Sequence, residues 1–211
     1  MISHAFAGPP GYDDVIQFLG DTMRHTMLVL LLATVSVAAP PPKDKPAPYF
    51  PTVVGDKLVY ERLTDGKEEY GDVTDRVMDV EKKDGVIYVT IQRIYPETEG
   101  FRRTIAVADS GLFQVVSREN SLTSASPILK LPPKEGTTWE WKTETTKITF
   151  TVIREEEVTV PAGKFKAIRV EMVTERDDPS TFWFAPAVGM VKMSALKGSH
   201  TLALKEFKAG K

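Results

Sequence analysis

The chain has 211 residues, 27 Lys and Arg against 29 Asp and Glu, a formal net charge of −2 and no cysteine. A balance so close to zero excludes nucleic acid as a natural partner, because phosphate binding needs a basic excess, and it argues against electrostatic adsorption to anionic membranes. The absence of cysteine removes disulfides, thiolate catalysis, cysteine metal sites and lipoprotein-type acylation together.

Arg24 and His25 precede an uncharged Leu/Val-rich run over 26–37, and Ser36-Val37-Ala38 supplies small residues where a signal peptidase reads. Residues 23–38 therefore read as a signal peptide, cleaved before Ala39. The run is short for a bilayer span, which needs about 20 apolar residues, so no stable span is expected after cleavage; an uncleaved membrane anchor is the alternative. Asp13, Asp14 and Asp21 stand ahead of the signal and oppose its electrostatics. Translation is therefore expected to start at Met23, with 1–22 a mis-assigned extension; an unusually long leader is the alternative. Of all the charged residues only Arg24 and these three acids precede Ala39, so the exported part stays near neutrality. An exported domain without disulfides fits the periplasm or the outside of a bacterial cell.

Six prolines fall between Pro40 and Pro51. Such a segment favours extended polyproline II geometry and reads as a semi-rigid tether, so a linker is placed over 39–55. The remainder, 56–211, is one domain's worth of chain and long enough to bury its own core.

From Asp56 the rhythm is strand, turn, strand. Residues 58–63 run into Asp65-Gly66, a strong hairpin signal. Residues 70–81 lead to a second turn at Lys83-Asp84-Gly85. Residues 86–95 are rich in β-branched and aromatic side chains. Over 101–109 the alternation puts Phe101, Arg103, Ile105 and Val107 on one face, and Ser110-Gly111 turns into 112–118. Residues 120–133 are less regular: 128–131 reads as a helical turn or a strand end, stopped by Pro132-Pro133. Strands follow over 137–143 and 147–160. Pro161-Ala162-Gly163 makes a turn, since proline presets φ and glycine takes positive φ. Further strands follow over 165–176, 181–185, 190–196 and 200–207. The chain is thus expected to be all-β, an antiparallel meander of about ten strands forming a closed or half-open barrel.

Catalytic signals are weak. His200 is the one histidine after the leader, and a lone imidazole without a patterned partner builds neither a zinc site nor a nucleophile triad. Glu155-Glu156-Glu157 and Asp177-Asp178 lack calcium-loop spacing, and neighbours on a strand point to opposite faces, so they read as solvated surface. No Gly-x-Ser-x-Gly occurs, and Ala162-Gly163-Lys164 lacks the rest of a phosphate loop. Neither a catalytic residue, a metal nor a cofactor is expected. The aromatic faces remain. Trp139 and Trp141 share one face, Phe182 and Phe184 another, Phe150 shares a face with Ile148 and Val152, and Met172 shares one with Ile168 and Val170. These six are the candidate ligand-binding residues, lining an apolar cavity in a barrel wide enough to hold one; filling a solid core is the alternative.

Three segments share a resemblance. Tyr49-Phe50-Pro51 with residues 55–60 (GDKLVY), residues 158–165 (VTVPAGKF) and residues 182–192 (FWFAPAVGMVK) resemble motifs of uncharacterised secreted bacterial proteins of the DUF3108-like group. More distantly they resemble the lipoprotein carriers of the LolA/LolB type. The resemblance implies a half-open antiparallel barrel in the cell envelope, with no catalytic residue to carry over. Leu58 departs from it, standing where relatives carry tryptophan. So does the shortage of helix: lipoprotein carriers plug their barrel with helices, and here only 120–131 could supply one.

The expected function is a non-enzymatic binding domain of the bacterial envelope, taking a hydrophobic small molecule or another envelope protein. The alternatives are a structural or interaction module with a solid core, and third, a hydrolase-type enzyme.

Overall fold

The structure is a computed structural model that describes residues 47–211 except 69, 99, 119, 144–145 and 176–177. The signal peptide, the extension before it, most of the linker and Asp177 lie outside the described residues.

Thirteen strands form one antiparallel sheet. In chain order they are β1 (Lys57–Thr64), β2 (Lys67–Glu68), β3 (Val73–Lys83), β4 (Val86–Ile94), β5 (Phe101–Ala108), β6 (Gly111–Ser117) and β7 (Asn120–Lys130). Then come β8 (Thr138–Lys142), β9 (Lys147–Val160), β10 (Gly163–Thr174), β11 (Ser180–Ala185), β12 (Gly189–Ala195) and β13 (His200–Lys208), with one 3-10 turn at Leu196–Gly198. The first and last long strands, β1 and β13, pair at the middle of the sheet. One meander, β3 to β7, runs outward from β1, and the other, β12 back to β8, runs outward from β13. The chain crosses from one meander to the other between β7 and β8, which are the two edges. No backbone pairing joins those edges, so the sheet curls into a half-open barrel and not a closed one.

Local chemistry explains most of the turns. Asp65-Gly66 and Asp84-Gly85 both have two successive positive φ angles (48° and 76°, 50° and 80°), the requirement of a tight hairpin whose twist matches the strands. Strands outnumber the sequence expectation partly because β2 is a two-residue stub on the end of β1. Residues 120–130 are a full strand, with no helical turn at 128–130. Its Asn, Ser and Thr content hides the β pattern, and its pairing with β6 needs two register shifts to proceed.

The barrel buries two apolar clusters. The first sets Val77, Val89, Ile91, Ile105, Leu112 and Leu129 of the first meander against Trp139, Phe150, Val152, Ile168, Val170 and Phe184 of the second. The second gathers Leu58 and Tyr60 of β1 and Leu202 and Leu204 of β13 with Val73, Val158, Val160, Ala167 and Val191. The long β9–β10 hairpin reaches this second cluster with its tip, where the Ala162 amide donates to the Leu204 carbonyl at 2.9 Å. Tyr49-Phe50-Pro51, at the end of the segment read as linker, is packed on the barrel: Phe50 is 9% exposed and belongs to the first cluster. The Pro48 carbonyl holds the segment by accepting from the Ala187 amide. A side chain at Gly189, whose φ is 94°, would press on Pro51 and the Phe50 backbone.

Candidate functional site

Period-two alternation on β9, β10 and β11 aims Phe150, Met172, Phe182 and Phe184 at a common interior. There they border a cavity of about 200 Å³ together with Phe50, Ile105, Leu112 and Met190. Backbone register explains the convergence, since Met172 pairs with Phe150 and Ile168 with Phe184 across adjacent strands. Phe182 and Phe184 lie with ring centres 6.3 Å apart and nearly parallel. Large rings with few rotamers fill space less completely than aliphatic chains, and a gap survives between them.

The structure therefore brings four of the six candidate residues to one cavity and places the two tryptophans elsewhere. Trp139 is buried and stacked against Phe150 at 5.5 Å, and its indole N–H donates to the Pro127 carbonyl at 3.0 Å. Trp141 donates to Ser124 Oγ at 3.1 Å. Both acceptors are on β7 and both donors on β8, so the two indoles bridge the seam that backbone pairing leaves open.

Three residues that sequence reasoning did not single out give the interior its charge. Asp75 on β3 is 3% exposed and Arg93 on β4 is 9% exposed. Arg93 donates from Nε and Nη2 to the two carboxylate oxygens of Asp75, each at 2.7 Å. Arg103 on β5 adds a third bond, Nη2 to Oδ2 at 2.9 Å. Burial pushes the Asp75 carboxyl up, but the Arg103 and Arg93 cations outweigh it and hold the group below the usual carboxylate range. Burial also lowers Arg103, reinforced by the neighbouring Arg93. Desolvation raises Tyr60, whose hydroxyl donates to the Met190 carbonyl at 2.8 Å. Arg103 lines the cavity, with Gln114 and Ser126 as the other polar members of its wall.

A second, larger recess of about 490 Å³ lies at one end of the barrel, bordered by Tyr49, Ile87, Val107, Leu131, Pro132 and the β3–β4 and β5–β6 turns. Tyr49 lines this recess and the next residue, Phe50, lines the interior cavity. None of the six candidate residues borders the recess, and the charged cluster does not reach it.

The remaining sequence candidates stay at the surface. His200 is exposed at the start of β13, with Ser199 Oγ 3.1 Å from its Nδ1. Glu155 and Glu157 pair with Lys166 and Lys164, and Glu156 accepts from Arg154 and from the Trp183 indole. Asp178 pairs with Lys197. Among the described residues no group of three or more acidic or histidine side chains is placed to hold a metal ion.

No family model matches the chain, and no curated protein matches it in sequence. The DUF3108-like and lipoprotein-carrier resemblance thus gains no support from sequence. Solved structures do match. A candidate exported protein with a YmcC-like fold from Bacteroides fragilis superposes with a TM-score of 0.55 at 16% identity, covering 77% of this chain and 99% of that one. A candidate lipoprotein from Parabacteroides distasonis superposes with a TM-score of 0.51 at 14% identity, covering 78% of this chain and 100% of that one. At such identities the likeness is one of fold alone.

Proposed function

We propose that the protein is an exported, non-enzymatic binding domain of the bacterial cell envelope that holds a hydrophobic ligand inside its barrel. The observation that carries this reading is the interior cavity bordered by Phe150, Met172, Phe182 and Phe184. Apolar walls with a few placed polar groups are the usual form of a small-molecule site. Export is supported by the leader at 23–38 and by the fold's likeness to proteins described as exported or as lipoproteins. Among the described residues no helix is long and apolar enough to cross a membrane. His200 lies outside the cavity wall, its ring nitrogen beside the Ser199 hydroxyl.

Native mass spectrometry of the protein purified from its own envelope tests the proposal. A reproducible adduct of lipid mass that is lost on organic extraction is the expected result. A clean apo mass under gentle conditions would overturn it in favour of an interaction module without ligand.

A further inference from the structure

Arg103 is the member of the cavity wall that a purely apolar ligand leaves without a purpose. Asp75 offers one carboxylate to two guanidiniums, and Arg93 takes both of its oxygens. Arg103 shares one oxygen through Nη2, its Nε has no partner among the described residues, and about a fifth of its side chain is exposed. The cluster of Asp75, Arg93 and Arg103 therefore brings one more positive charge than negative into the barrel. Uncompensated charge away from water is costly unless it is paired. The guanidinium fork, with donors in a fixed plane, is shaped for a carboxylate.

The walls of the cavity are not alike. Register sets Gln114 opposite Ile105 on one side and Ser126 on the other, so the wall formed by β5, β6 and β7 carries a polar row next to Arg103. The facing wall, from β9 to β12, is wholly apolar, with Ile148 beside Phe150, Met172, Phe182, Phe184 and Met190, whereas the first wall sets its polar row among Ile105, Leu112 and Ile128. The space is also small. At about 200 Å³ it falls below the roughly 300–1,000 Å³ of pockets that take drug-sized molecules, too little for a two-chain lipid.

We infer that the cavity selects a single-chain amphiphile with a carboxylate head, the head meeting Arg103 beside Gln114 and Ser126 and the chain lying along Phe150, Met172 and Phe182. This rests on the binding function proposed above and specifies its ligand class. The apolar wall contributes affinity without chemical discrimination, and Arg103 distinguishes a fatty acid from a fatty alcohol of the same length.

The test is a titration of delipidated protein with dodecanoate and with dodecanol, followed by tryptophan fluorescence, since Trp139 stacks on the cavity residue Phe150. A hydrogen bond to a charged group predicts binding of dodecanoate about tenfold tighter or more. Arg103→Met should abolish that preference while dodecanol binding stays, and Arg103→Lys should restore part of it. Equal binding of the two ligands to the wild-type protein overturns the inference and leaves an apolar-ligand domain standing. Binding of neither overturns both. A preference that persists in Arg103→Met overturns the role of Arg103; should that variant not fold, the wild-type comparison and Arg103→Lys decide.

Discussion

The two apolar clusters of the barrel use different residues to different ends. Around the β1–β13 pair the fully buried side chains are Leu, Val and Ala with one tyrosine, Phe165, Trp183 and Phe207 pack partly buried against them, and the β9–β10 tip is bonded to Leu204. In the other cluster the second meander contributes phenylalanine, tryptophan and methionine, and a cavity remains. Small branched chains interdigitate to crystal-like density, whereas rigid rings meeting from facing walls leave space that only another molecule fills. The comparison teaches that one part of the sheet serves as scaffold and the other as receptacle. Asp75 marks the boundary: on β3 it stands between Val73 of the scaffold cluster and Val77 of the cluster around the cavity.

The largest expected effect is at that boundary. Asp75→Asn leaves the buried Arg93 and the partly buried Arg103 without a counter-charge, and loss of one partner of a buried pair costs about 3–5 kcal/mol. Denaturant unfolding should show it directly, and a cost below about 1 kcal/mol would mean that the cluster does not divide the barrel. Acid should imitate the substitution. The Asp75 carboxyl is depressed in the folded state relative to its ordinary value of 3.8. A depressed group contributes stability that is fully present above its unfolded value and is lost as pH falls through the folded one. Stability should therefore hold above roughly pH 4 and decline below it, with a shallower decline in Asp75→Asn.

Next in size is a pair of truncations across the comparison. Leu204→Ala removes a fully buried side chain from the scaffold cluster, at a cost of about 2–5 kcal/mol. Met172→Ala enlarges a space that already exists, around a residue that is only partly buried, so it should cost distinctly less while weakening ligand binding. Equal losses of stability would erase the distinction between scaffold and receptacle. A weaker ligand with nearly unchanged stability would sharpen it.

Much of this architecture is legible in the sequence, and what is not has a physical reason. Turn chemistry and period-two alternation are local, so Asp65-Gly66, Asp84-Gly85 and the strand faces that carry Phe150, Met172, Phe182 and Phe184 can be read directly, whereas their meeting at one cavity depends on how the sheet curls. The charged cluster left a signal too: Arg103 shares a strand face with Phe101, Ile105 and Val107, and a cation on an apolar face needs a buried partner. Its partner Asp75 lies two strands away, and pairing at that range is not written in any local pattern. Phe50 is hidden by composition, because the prolines around it describe an extended segment and not where that segment docks. The tryptophans are hidden by topology. Sharing a face of β8 put Trp139 and Trp141 among the cavity candidates, yet β8 is an edge, and an edge strand meets the far end of the sheet only after the sheet has curled.

That seam offers the smallest and most discriminating test. Trp139→Phe keeps an aromatic ring over Phe150 but removes the N–H that reaches the Pro127 carbonyl together with part of the buried indole. Loss of the bond alone costs about 0.5–1.5 kcal/mol, to which the lost indole volume adds, still less than Leu204→Ala. Its consequence should be local, because no backbone bonds between β7 and β8 share the burden. Ser126 and Ile128, which border the cavity, lie on either side of Pro127 on β7, so loosening this edge opens the receptacle and not the scaffold. Amide exchange in Trp139→Phe should therefore quicken along β7 and β8 and stay unchanged in β1 and β13. Ligand release should quicken with it. Uniform acceleration across the sheet would instead show that the two indoles hold the whole barrel, and that its two parts do not open independently.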